Sequence, residues 1–191
     1  MITTTVVNNP LLQQPANKYE IPEFSKIAYA DYLPAVEQGI EERRKEVKDI
    51  VDNNAEPDFN NTILALDNTG LTLQKATSVW NLLQGTENTD ELEKVTSQLL
   101  PLLNAASDEI TLNDKLFAKI KKVYDKRESM NLNTAQKRLI ERYYKGFVRG
   151  GALLSDKDKE TLKDINQQMS EVMKNFGQNI LKETNAIEIY V

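Results

Sequence analysis

Glu42 and Glu46 are the first residues whose spacing could do chemistry. Four apart on a helix, they share one face, and two carboxylates placed so can bind a divalent cation or divide acid–base work. Carboxylate-bridged sites in helical bundles also draw on Glu-x-x-His pairs. This chain contains no histidine. The pair therefore reads as a solvated face, ion-paired with the neighbouring Arg43 and Lys45. The lack of histidine also excludes a Ser-His-Asp triad and a His-ligated zinc site made from these residues alone. Cysteine is absent too, which removes disulfides and thiol nucleophiles while leaving the compartment open.

The remaining candidates have structural readings. Tyr143, Tyr144 and Phe147, with Trp80 elsewhere, combine apolar bodies with polar tips suited to peptide contact, but their helical spacing places them in a core. Tyr144 lies one position off that stripe. Gly150-Gly151 follows a helix with no G-x-x-x-x-G-K-[ST] or G-x-G-x-x-G around it, so it is a helix stop and not a phosphate loop. Asn60-Asn61-Thr62 matches a glycosylation triplet and is equally a helix cap, the preferred reading. Met169 and Met173, four apart, are either an adaptable partner surface or core methionines, and core is the expectation. No catalytic, cofactor-binding or metal-ligating residue is assigned.

Long helices must position these side chains. Only seven glycines and six prolines punctuate 191 residues, and they sit near element ends. An irregular segment, 1–30, carries the apolar anchors Leu11, Leu12, Ile21, Phe24 and Ile27. A helical domain follows over 31–186. Asp31 is the expected cap of a first helix ending near Asp52, with Pro34 in its first turn. A second helix is expected from Asn60 or Asn61 to about Gly85, weakened at Gly70. Asn88 and Glu91 form a capping box for a third, which Pro101 should kink near Ser97. Asn113 caps a fourth, Asn133 with Gln136 a fifth ending at Gly150-Gly151, and Ser155 opens a sixth. The sixth carries Leu162, Ile165, Met169, Val172, Met173, Phe176 and Ile180 as its apolar stripe. Short connections predict an all-α antiparallel bundle of about six helices. Residues 187–191 alternate as the start of a strand that looks cut off.

The net charge of −5 comes from interspersed acidic and basic residues, so no nucleic-acid partner is expected. No window suits a membrane span and no signal peptide is visible, which makes a cytoplasmic protein the simplest expectation.

Several stretches in order carry a family resemblance. They are Asn9-Pro10-Leu11-Leu12, then Pro22 to Ile27 followed by Tyr32-Leu33-Pro34-Ala35, and Pro57 to Leu66, the most distinctive block. Thr86 to Leu92, Ser107-Asp108-Glu109-Ile110, Leu116-Phe117-Ala118 and Gln136-Lys137-Arg138-Leu139 follow. Phe147 to Ala152, Phe176-Gly177-Gln178-Asn179 and Glu183-Thr184-Asn185 close the series. Across nearly its whole length the chain resembles the N-terminal region of the thimet oligopeptidase family of zinc metallopeptidases, most closely its peptidyl-dipeptidase (Dcp) branch. The resemblance implies the truncated N-terminal part of a larger, mostly helical enzyme, forming one wall of a channel that admits short peptides. It implies zinc in the full-length parent, held by an H-E-x-x-H helix and a downstream Glu in the catalytic half missing here, and release of C-terminal dipeptides. The surface exposed by that missing half, on the sixth helix, should favour self-association. The competing expectation is a free-standing helical protein-interaction module without catalysis.

Overall fold

A computed structural model describes residues 8–15, 17–19, 21–86 and 89–187, and every regular element among them is helical. The long helices are α1 (Tyr32–Asp52), α3 (Leu71–Thr86), α4 (Asp90–Thr111), α5 (Asp114–Lys126), α6 (Thr134–Arg149) and α7 (Asp156–Asn185). A π-helical turn, Phe59–Leu64, runs into the short α2 (Ala65–Asp67).

Caps set most of the boundaries. Asn113 accepts the Leu116 N–H at 2.9 Å, and Asn133 and Gln136 exchange side-chain and backbone bonds at 2.9 Å each. Ser155 accepts the Asp158 N–H at the start of α7. The α6 helix stops as a Schellman motif: Ala152 N–H reaches Phe147 O, Gly151 N–H reaches Val148 O, and Gly151 takes φ 97°.

Three local expectations are corrected. Asp31 does not cap α1 with its side chain; it lies in a 3-10 turn (Tyr29–Asp31), where its carboxylate accepts the Ala28 N–H. Thr89 caps α4 by accepting the Leu92 N–H, while Asn88 lies outside the described residues. The expected second helix is two pieces, because Gly70 sits at φ 75° and ends the helical path between α2 and α3. Pro101 lies inside α4, which continues through it. The expected strand at 187–191 lies outside the described residues except for Ile187.

Two hydrophobic clusters form the core. Leu11, the first half of α1, α3 and most of α4 build one around Val36, Trp80 and Leu99. The second half of α1, the π-helical turn, α5 and α6 build the other around Ile63, Ile120 and Ile140. Of the N-terminal anchors, Leu11 is buried and Leu12 and Ile27 are half-buried, whereas Ile21 and Phe24 are exposed. Burial holds this pair of clusters together at roughly 1.5–3 kcal/mol per large apolar side chain. Among its described side chains, the last long helix contributes none to the buried part of either cluster.

Candidate functional site on the outer face of the last helix

At 30 residues, α7 is about 45 Å long. It packs antiparallel along α4, as its side-chain bonds show. Asn166 donates to Asp108 at 2.8 Å, Asn104 donates to Ser170, and Gln178 donates to Glu93 at 2.5 Å. Leu162, Asn166, Ser170, Lys174 and Gln178, every fourth residue, make up the half-buried inner face. Lys159, buried at the helix start, pairs with Asp114 of α5.

The apolar stripe is left largely outside that contact face. Ile165, Met169, Val172, Met173, Phe176 and Ile180 are 48–64% exposed. The expectation of a core stripe, with Met169 and Met173 as core methionines, is therefore overturned. The physical reason is that α4 offers α7 polar partners (Asp108, Asn104, Glu93), so the Asn/Ser/Gln ridge turns inward to satisfy them. Met169 and Met173 also edge a groove of about 490 Å³ against Leu92, Thr96 and Leu100 of α4. Beneath it, Thr96 accepts from Trp80 Nε1 at 3.1 Å and from Gln84 Nε2 at 2.7 Å, pinning α3 to α4.

The other sequence candidates are scattered, and each has a structural task. Glu42 accepts from Gln38, and Glu46 accepts the Gly70 N–H at 2.7 Å, so the two carboxylates share no ligand. Neither forms an ion pair with Arg43 or Lys45 among the described residues. Trp80 and Phe147 are buried, as expected. Phe117 stacks on Tyr144 and Phe147, Tyr144 stacks on Tyr124, and Arg127 covers Tyr124 at 3.9 Å, which places Tyr144 in an aromatic ladder. Tyr143 is half-buried and donates to Asp67 at 2.7 Å; burial and that carboxylate raise its phenol above the ordinary value. The cap expected from the triplet is instead Asp58, two residues before it; Asn61 completes a capping box with Asp58, and Thr62 is buried. Arg44 grips Glu109 with two bonds, 2.6 and 2.7 Å, tying α1 to α4 and holding the Glu109 carboxyl below its usual range.

Among the described residues no group of three or more His, Cys, Asp or Glu side chains could hold a metal ion. The described side chains offer no set of ligands that fits a zinc ion. None of the described helices is long and apolar enough to cross a membrane. Sequence reasoning missed the polar inner ridge of α7. Its signal was present in the choice of Asn, Ser and Gln at four-residue spacing, where a solvated face would carry more Lys and Glu.

Residues 36–159 match the model of the neurolysin/thimet oligopeptidase N-terminal domain. The chain belongs to that family. Within it, the chain is similar to the dipeptidyl carboxypeptidase of Salmonella typhimurium, 36% identical over 178 residues, which cover 93% of this chain and 26% of the relative. The dipeptidyl carboxypeptidase of Escherichia coli is 37% identical over 173 residues, covering 91% and 25%. Oligopeptidase A of Escherichia coli is 27% identical over 178 residues, covering 93% and 26%. The chain thus spans about a quarter of the length of the curated relatives it matches.

Proposed function

We propose that this chain is the N-terminal helical domain of a zinc-dependent peptidyl-dipeptidase that removes C-terminal dipeptides from short peptides, and that it forms a wall of the substrate channel. The observation that carries this reading is the match of nearly the whole chain to one quarter of proteins named dipeptidyl carboxypeptidase. The exposed apolar face of α7 supports it, because a stripe of that size in a larger enzyme is the natural contact for the rest of the polypeptide. With no histidine here, the zinc ligands and the water-activating carboxylate would come from the remainder. The domain's contribution is shape: a rigid pair of cores that narrows access, so that short peptides enter and folded proteins do not. A cytoplasmic location belongs to the same proposal.

The test is to sequence the source gene past the codon for Val191, express the full reading frame, and assay it on blocked oligopeptides. An in-frame H-E-x-x-H, with chelator-sensitive release of C-terminal dipeptides, is the expected result. A stop codon directly after Val191 in an expressed gene would overturn the reading and favour the free-standing interaction module.

A further inference from the structure

Arg43 of α1 is built into the fold without an acceptor. Its stem runs along the turn at Gly70, so close that a Cβ there would stand 2.7 Å from Arg43 Cδ. Its Nε is buried and bonds to nothing, while its terminal nitrogens reach the surface with no hydrogen bond or ion pair among the described residues. Other arginines are engaged: Arg127 donates to the Tyr124 carbonyl at 2.7 Å, and Arg44 holds Glu109. Packing over Gly70 has already fixed the Arg43 side chain, so its free fork is preorganised and little freedom is lost when it binds.

The surroundings narrow the ligand. Arg142 and Tyr143 of α6 stand beside it. Both arginine charges act on the Tyr143 phenol, against the Asp67 carboxylate to which the phenol donates at 2.7 Å. Asp67 is thereby occupied, and Glu46 is occupied by the Gly70 N–H. Arg142 is exposed and makes no ion pair among the described residues. Leu64, one turn before Asp67, and Leu71, directly after Gly70, are 38% and 63% exposed. Two guanidinium groups with unused donors suit an oxyanion. A phosphate would set two charges against Asp67 and Glu46, whereas a carboxylate sets one. Apolar side chains beside the fork favour a carboxylate carried on a peptide with apolar neighbours of its own. Charged and aromatic groups around two leucines have the composition of a non-obligate interface, unlike the wholly apolar stripe of α7. None of these residues lies on α7, so this surface is separate from the one given to the rest of the polypeptide.

We propose that Arg43 anchors a docking surface for an acidic peptide segment of a separate protein. An Asp or Glu carboxylate of that segment takes the terminal nitrogens of Arg43, Arg142 adds charge, and apolar neighbours of the carboxylate cover Leu64 and Leu71. This is independent of the peptidase reading.

The probe is acetyl-Ala-Leu-Glu-Leu-Ala-amide, titrated into the isotope-labelled 191-residue chain, with the peptide carrying Gln in place of Glu and inorganic phosphate as comparisons. The Arg43 Nε–H and the backbone amides of Gly70 and Leu71 are followed by NMR. A saturable shift is expected with the Glu peptide at a Kd of about 1 mM or below, and binding about 10-fold weaker or more with the Gln peptide. Arg43→Lys keeps the charge and loses the fork; it should weaken binding by about 10-fold, read at Gly70 and Leu71. Arg149→Lys, at the exposed end of α6, should change nothing. The Gln comparison uses the parent chain, so it decides the matter even where Arg43→Lys fails to fold by circular dichroism. No saturable shift at about 10 mM Glu peptide overturns the proposal. So does an equal response to the Gln peptide, tighter binding of phosphate than of the Glu peptide, or a folded Arg43→Lys chain that binds like the parent. Saturation-transfer NMR of the Glu peptide with the full reading frame is the last arm. Binding there is expected; its loss, with binding by the 191-residue chain retained, would mean that the polypeptide covers this surface itself and would overturn the separate partner.

Discussion

Replacing Thr96 with valine tests how α3 is held to α4 under the groove. The hydroxyl of Thr96 accepts hydrogen bonds from Trp80 Nε1 and Gln84 Nε2, and Trp80 is only 4% exposed. Valine has nearly the same shape and keeps the packing, but it leaves the indole N–H buried without an acceptor. An orphaned buried donor costs about 1–3 kcal/mol. The extra buried methyl offsets up to about 0.8 kcal/mol. The expected net loss is about 1–2 kcal/mol, a fall in Tm of roughly 2–8 °C for a chain of this size. Thr96→Ser, which keeps the acceptor and loses a methyl, should cost no more than about 1 kcal/mol. Urea unfolding followed by helical circular dichroism measures all three, and the single tryptophan reports the site directly by fluorescence. The decisive comparison repeats Thr96→Val in a Trp80→Phe background. With the donor gone, valine should cost much less, giving a coupling of about 1 kcal/mol or more. Equal costs in the two backgrounds would refute the proposed tie between the helices.

Gly70→Ala should destabilise the fold by about 1–2 kcal/mol, because φ 75° is strained for alanine and its Cβ would approach Arg43 Cδ at 2.7 Å; a thermal melt no lower than the parent's would contradict this. Asn133→Ala should cost about 1 kcal/mol in urea unfolding by removing the α6 cap, and Asn133→Asp should recover most of it. Because Arg44 depresses the Glu109 carboxyl, their pairing adds stability above the ordinary carboxyl range, and that contribution is lost as pH falls through the lowered folded value. Both side chains are nearly half exposed, so the effect is at most about 1 kcal/mol. In Glu109→Gln that part of the acid-side decline should disappear; an unchanged pH profile would show that solvent screens the pair.

Helix type, most boundaries and many core positions of α1, α4 and α5 were legible in the sequence because they depend on local chemistry, whereas the division into two clusters was not. The cap residues Asn113, Asn133 and Ser155 satisfy backbone donors within three residues, and apolar spacing on α1, α4 and α5 finds the core wherever the neighbours are apolar. The exclusion of a histidine-based site needed composition alone. Tertiary structure decided what spacing cannot encode. A helix with an apolar stripe normally buries it, and periodicity carries no information about which partner stands opposite. On α7 the partner is α4, whose Asp108, Asn104 and Glu93 draw the polar ridge inward and leave Ile165 to Ile180 facing out. Likewise Glu42 and Glu46 share a helix face in sequence, and only the break at Gly70 gives Glu46 a backbone N–H to hold. The elements are set by contacts a few residues long; the direction each one faces is set by residues far away in the chain.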